Sequence, residues 1–182
     1  MTVATAPAAF LEALESLRPL RLPSSINVDE VEAPANIAPF SAAMRFSIAA
    51  EFANPASAFL VVLYDPASQP GWQGPFRLVA HIHGAVEEDL VTDPLAGQVA
   101  WSWLHSALFD AGAGYRAVAG TATRVQSQSF GDLAVRGSRS ELEVRASWSP
   151  VTADLLPHAH AVAHLLAFIA GLTETTGGFV GS

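Results

Sequence analysis

The hydrophobic period of this chain changes from helical to two and back again, and no other feature constrains its fold as much. From Ala8 to Arg18, Phe10, Leu11, Leu14 and Leu17 recur at helical spacing until Pro19 stops the pattern. Leu20 to Pro39 is a Pro- and acid-rich connector with one short extended piece, Ile26–Val31. Ala42, Met44, Phe46, Ile48, Ala50 and Phe52 then alternate with Ala43, Arg45, Ser47, Ala49 and Glu51, as a half-buried strand requires. Asn54-Pro55 marks a turn, and Phe59–Tyr64 is an apolar run that suits a central strand. Asp65–Pro75 reads as a loop, and the strand period returns at Phe76, Leu78, Ala80 and Ile82.

The helical period resumes over Asp89–Gly112. Thr92 or Asp93 can cap this helix, Pro94 suits its first position, and Gly112 suits a left-handed C-terminal residue. Its rows Leu95, Val99, Trp103, Ala107 and Ala100, Leu104, Leu108, Ala111 form one broad apolar face. Trp101 and Trp103 point to different faces, so at least one is expected in the core. Two more strands follow, around Ala117–Ser129 and over Glu141–Ser149, joined by a polar loop from Gly131 to Ser140. In the second of them Leu142, Val144, Ala146 and Trp148 face inward. Asp154–Gly171 closes the pattern as a helix, with Pro157 in its first turn.

Consecutive strands with short connectors make an antiparallel sheet, and the helices must cover one of its faces. The expected fold is α+β, a sheet of about five to six strands in the order α-β-β-β(-β)-α-β-β-α. Residues 1–7 are expected as a disordered leader, 8–172 as one domain and 173–182 as a flexible tail.

Composition excludes several chemistries. The chain has 9 Arg, no Lys and no Cys against 17 acidic residues, a net charge of −8. It therefore offers no Schiff-base amine, P-loop lysine, thiolate or disulfide. The negative balance opposes phosphate backbones, so nucleic acid is not an expected partner. The N-terminus lacks a signal-peptide pattern and no apolar run is long enough to span a membrane, which gives a cytoplasmic expectation.

The histidines are the candidates for chemistry. His81 and His83 share a strand face, and His160 and His164 share a helix face, both at spacings metal sites use. HAVAH lacks the Glu of zinc peptidases, and the bland reading puts His81 and His83 on a solvent face and the others at a helix edge. No metal is favoured and no cofactor is expected. Glu87, Glu88 and Asp89 read as solvated acids near a helix start. Five arginines (116, 124, 136, 139, 145) against three acids give residues 116–145 a net +2, whereas residues 1–93 carry −7. An anion clamp or pairing with Glu141 and Glu143 would each use those arginines, and pairing is favoured. Trp72, in a Pro/Gly loop, either folds back as a lid or anchors a partner. The interaction candidates are Trp72, Trp101, Arg136 and Arg139.

Asp65-Pro66, WQGPFR (72–77), DPLAGQVAWSWL (93–104), GTATRV (120–125), Ser129-Phe130-Gly131 and ELEVRASWSP (141–150) together resemble an actinobacterial family, domain of unknown function 3000. The resemblance covers most of residues 8–172 and implies no activity and no catalytic residue. The element order is also similar to the type III secretion chaperone-like fold and its YbjN-type relatives, which implies a small acidic protein that dimerises and binds polypeptides. The function expected is a non-enzymatic interaction or chaperone-like role with a protein partner or a second copy. The alternative is a small-molecule or metal-binding protein, an enzyme included, that uses the histidines. A flat apolar patch would favour the first, and a deep histidine-lined pocket the second.

Overall fold

A computed structural model describes residues 6–49, 55–175 and 178–181. Ala50, Phe52, Asn54 and the start of the expected leader lie outside those residues. The elements run α1 (Ala8–Glu15), β1 (Ile26–Val31), β2 (Phe40–Ile48), β3 (Ala56–Tyr64), β4 (Phe76–Ala85), α2 (Glu88–Thr92), α3 (Ala96–Asp110), β5 (Tyr115–Gln128), β6 (Ser138–Pro150), α4 (Leu156–Ile169), β7 (Leu172–Thr175) and β8 (Gly178–Gly181). The fold is α+β. β1 to β6 form one antiparallel sheet in the order β1-β2-β3-β4-β6-β5, and β7 pairs with β8 as a separate hairpin inside the segment read as a tail.

Strand alternation assigns the faces. Phe46, Ala58, Leu60, Leu78, Ile82, Val144 and Trp148 point to the helix side and are buried. Each buried Leu or Phe there stabilises the fold by about 1.5–3 kcal/mol. His81, His83, Glu141, Glu143 and Arg145 occupy the opposite, helix-free face.

The long helix expected over Asp89–Gly112 is broken into α2 and α3. Pro94 disfavours helical geometry at the residue before it, and Asp93 is extended with ψ 123°. The Asp93 carboxylate accepts the Leu95 N–H at 2.8 Å, and Thr92 instead turns its hydroxyl back to the Asp89 carbonyl. Gly112 does take the left-handed conformation, at φ 69°.

Neither Trp101 nor Trp103 is a fully buried core residue, contrary to the expectation for at least one of them. The deepest positions of α3 belong to Ala96, Ala100, Leu104, Ala107 and Leu108, whose small members let the helix approach the sheet. Trp103 packs against Phe168 of α4. Trp101 lies over Gly120 of β5, where a Cβ would meet the Arg145 carbonyl at 2.3 Å and the indole at 2.7 Å. Only glycine fits that crossing.

The core tryptophan is Trp148. Its indole N–H donates to Nδ1 of His158 at 3.0 Å inside the sheet–α4 interface. Burial drives the His158 pKa down to about 4 against a smaller opposing pull from Asp154, so the ring is neutral and accepts this bond. Among the described residues no helix is long and apolar enough to cross a membrane.

Candidate functional site

The sheet separates the two histidine pairs. Strand alternation carries His81 and His83 to the helix-free face, because Ala80 and Ile82 take the inward positions of β4. The α4 pair lies on the other side, where His160 and His164 line a groove of about 420 Å³ with Arg21, Asp110 and Ala163. Among the described residues no three His, Asp or Glu side chains converge as a metal would need.

On the helix-free face β6 places two glutamates between two arginines, and β4 supplies imidazoles beside them. Glu141 pairs with Arg139 at 2.8 Å and with His83 at 3.3 Å. Glu143 pairs with Arg145 and, at 3.4 Å, with His81. Partial burial pushes the Glu143 carboxyl up, but hydrogen bonds from Arg145 and His81 outweigh it and hold the pKa below its ordinary value. Two parallel Arg–Glu–His rows result, in which each glutamate is held between an arginine and an imidazole.

The five arginines do not form one clamp. Arg139 and Arg145 serve the glutamates of their own strand. Arg124 crosses to the helix side, where its guanidinium donates to the carbonyls of Val91 and Asp93 around the end of α2. Gln126 beside it donates to Glu88 at 2.8 Å. The signal that sequence reading missed is Arg77. It donates to the carbonyls of Ala117 and Ser147 and to the hydroxyls of Ser147 and Ser149, locking a bulge in β5 between Arg116 and Ala119 where Ala117 has φ 51°. Burial lowers the Arg77 pKa, yet the group stays charged.

Trp72 packs inward at 8% exposure, and its carbonyl accepts the Ser149 hydroxyl next to Arg77. The 65–75 loop therefore folds back onto the sheet, and Trp72 is no free anchor. Trp101 is half-buried over Gly120, beside His105, which in turn hydrogen-bonds Tyr115.

What the structure leaves open is the β5–β6 hairpin. Its distal part is exposed along β5, and a 3-10 turn, Gly131–Arg136, forms the tip. The segment read as a polar loop holds the apolar residues Leu133, at 52% exposure, and Val135, at 90%, next to Phe130 at 72%. Arg136 and Arg139 follow them in the chain. Apolar residues interrupting a loop of otherwise polar composition were the available sequence signal. Their exposure depends on how far the hairpin projects, which only the fold shows. A second apolar feature lies at the other end of the sheet, a hollow of about 360 Å³ walled by Leu14, Leu17, Val28, Met44, Leu60 and Val62, with Arg18 and Glu30 also in its lining.

A family model described as protein of unknown function (DUF3000) matches residues 6–177. Nothing among the curated proteins or the solved structures matches the chain.

Proposed function

Because this chain belongs to the DUF3000 family, whose description carries no activity, we propose its function from geometry: a non-enzymatic protein that binds another polypeptide through its β5–β6 hairpin. The observation that carries this reading is the tip, where Phe130, Leu133 and Val135 stand in solvent beside Arg136 and Arg139. Apolar side chains with Arg at their rim are the chemistry of contact surfaces. Separation of the two histidine pairs by the sheet supports interaction over a joint histidine site. The proposal takes the cytoplasm as its setting.

The test is affinity capture from the native lysate with the wild-type chain and with Phe130→Ser/Leu133→Ser/Val135→Ser. A partner bound by the first and lost by the second is expected. Identical captures, or none from either, would reject the hairpin as the contact surface. The hollow under α1 favours a second reading, binding of a small apolar ligand. Displacement of an environment-sensitive dye by medium-chain acyl compounds, abolished by Val28→Asp, is its expected signature.

A further inference from the structure

We infer that the chain forms a two-fold dimer by pairing the free edge of β5 with the β5 of a second copy. The two edges of the sheet are built differently. β1 is six residues long and exposes Asp29 and Glu30, the short, charged design that keeps an edge unpaired. β5 is long, carries no proline, and reads Ala119-Gly-Thr-Ala-Thr-Arg-Val125 along its open stretch. The single charge there guards nothing, because the Arg124 guanidinium is turned to the helix side and held by the Val91 and Asp93 carbonyls.

The sequence of β5 also narrows the register, and the proposal takes the one centred on Ala122. Antiparallel pairing of identical strands must centre on a residue, since opposed residues have to be of the same hydrogen-bonding type. Centring on Arg124 opposes it to itself, and centring on Gly120 opposes it to Arg116; both set like charges face to face. Centring on Ala122 places Arg124 opposite Gly120, which has no side chain, and Thr121 opposite the second copy's Thr123. Val125 then faces Ala119, where the bulge held by Arg77 ends the ladder. A shallow hollow lined by Pro94, Gln98, Trp101, Gly120, Ala122 and Arg124 would lie at the axis and merge with its copy.

This inference rests on the interaction reading of the same hairpin and adds to it. Phe130 lies eight residues from Ala122, about 26 Å along the strand, so the dimer presents its two apolar tips at opposite ends, free for a polypeptide partner.

Sedimentation equilibrium of the full chain tests the inference, with Thr121→Lys/Thr123→Lys and Thr121→Glu/Thr123→Lys as variants. The wild type is expected at twice 19.1 kDa. The double-lysine variant should dissociate with a constant raised on the order of 100-fold. The Glu/Lys variant should dimerise again, because each glutamate then meets a lysine of the other copy. It also matches its own sheet, where Thr121 neighbours Arg145 and Thr123 neighbours Glu143. A monomeric wild type overturns the inference, as does a double-lysine variant that dimerises as well as wild type. Hydrogen exchange on the wild type gives a check free of any folding defect. Outward amides of residues 119–125 should gain protection with concentration, and exchange independent of concentration also overturns the inference. Tip-dependent capture of another polypeptide by a monomeric chain would leave the interaction reading standing and remove only the dimer.

Discussion

Lowering the pH should destabilise this protein through one buried imidazole. His158 is 2% exposed, accepts the Trp148 indole N–H, and has its pKa moved from an ordinary 6.5 to about 4. Protonation would place a charge in the apolar interface of α4 with the sheet and cancel the acceptor. In the unfolded chain the ring takes up its proton near pH 6.5, so between there and pH 4 the unfolded state binds more protons. Stability is therefore complete above pH 6.5 and declines as the pH falls through that window. The slope approaches about 1.4 kcal/mol per pH unit, and the total is about 3 kcal/mol. Glu143, with its depressed pKa, adds a loss of the same direction at more acidic pH, below the ordinary carboxylate range. His158→Gln separates the two, because its amide oxygen can accept the indole N–H but does not titrate in this window. Urea unfolding followed by tryptophan fluorescence should show the wild type gaining about 3 kcal/mol relative to His158→Gln between pH 4 and pH 7. Parallel stability curves for the two proteins would refute the reasoning, and so would an NMR titration of His158 in the folded state near pH 6.5.

Other substitutions probe the features that shape the sheet. Gly120→Ala should destabilise by roughly 2 kcal/mol or more, because its methyl group collides with a fixed carbonyl and the Trp101 ring; a melting temperature within a degree of wild type would contradict the packing. Arg77→Lys should cost about 2–3 kcal/mol, since an ammonium cannot span both carbonyls and both hydroxyls as the guanidinium fork does. Arg77→Ala should cost no less, and chemical denaturation measures both. Zinc titration by calorimetry should show no binding event that both His81→Ala/His83→Ala and His160→Ala/His164→Ala abolish, because the sheet separates the pairs; one event lost in both variants would mean that they share a metal.

Much of the architecture was legible because alternation is a local signal. β4 and β6 each put every second residue into the core, so Leu78, Ala80 and Ile82 or Leu142, Val144 and Ala146 declare the buried face without knowledge of their neighbours. The same parity placed His81 and His83 on the open face. What escaped depends on contacts between residues distant in sequence. The partners of Arg77 lie on β5 and β6, and no spacing in the chain announces them. Trp101 needed the glycine it covers, nineteen residues away. The helix break at Asp93 is legible in principle, since a proline acts on the residue before it, but Pro94 fits a helix start equally well and the local pattern does not separate the two. At the candidate site the arginines of the hairpin were visible, whereas the reach of the hairpin beyond the sheet was not.

The position of β6 between β4 and β5 has a consequence for how the chain is made. The inner edge of β4 receives its neighbour only when β6 emerges, although β4 ends at Ala85 and β6 begins at Ser138. At the usual pace of synthesis the intervening segment takes about 3–10 seconds. If β1 to β4 pair before then, their sheet would present the unpaired edge of β4 for that interval, while β5, translated earlier than its own neighbour, would have no strand to dock on. In that case the strand order would leave the nascent chain most open to mispairing between the synthesis of β4 and β6, and insertion of β6 would end the exposure.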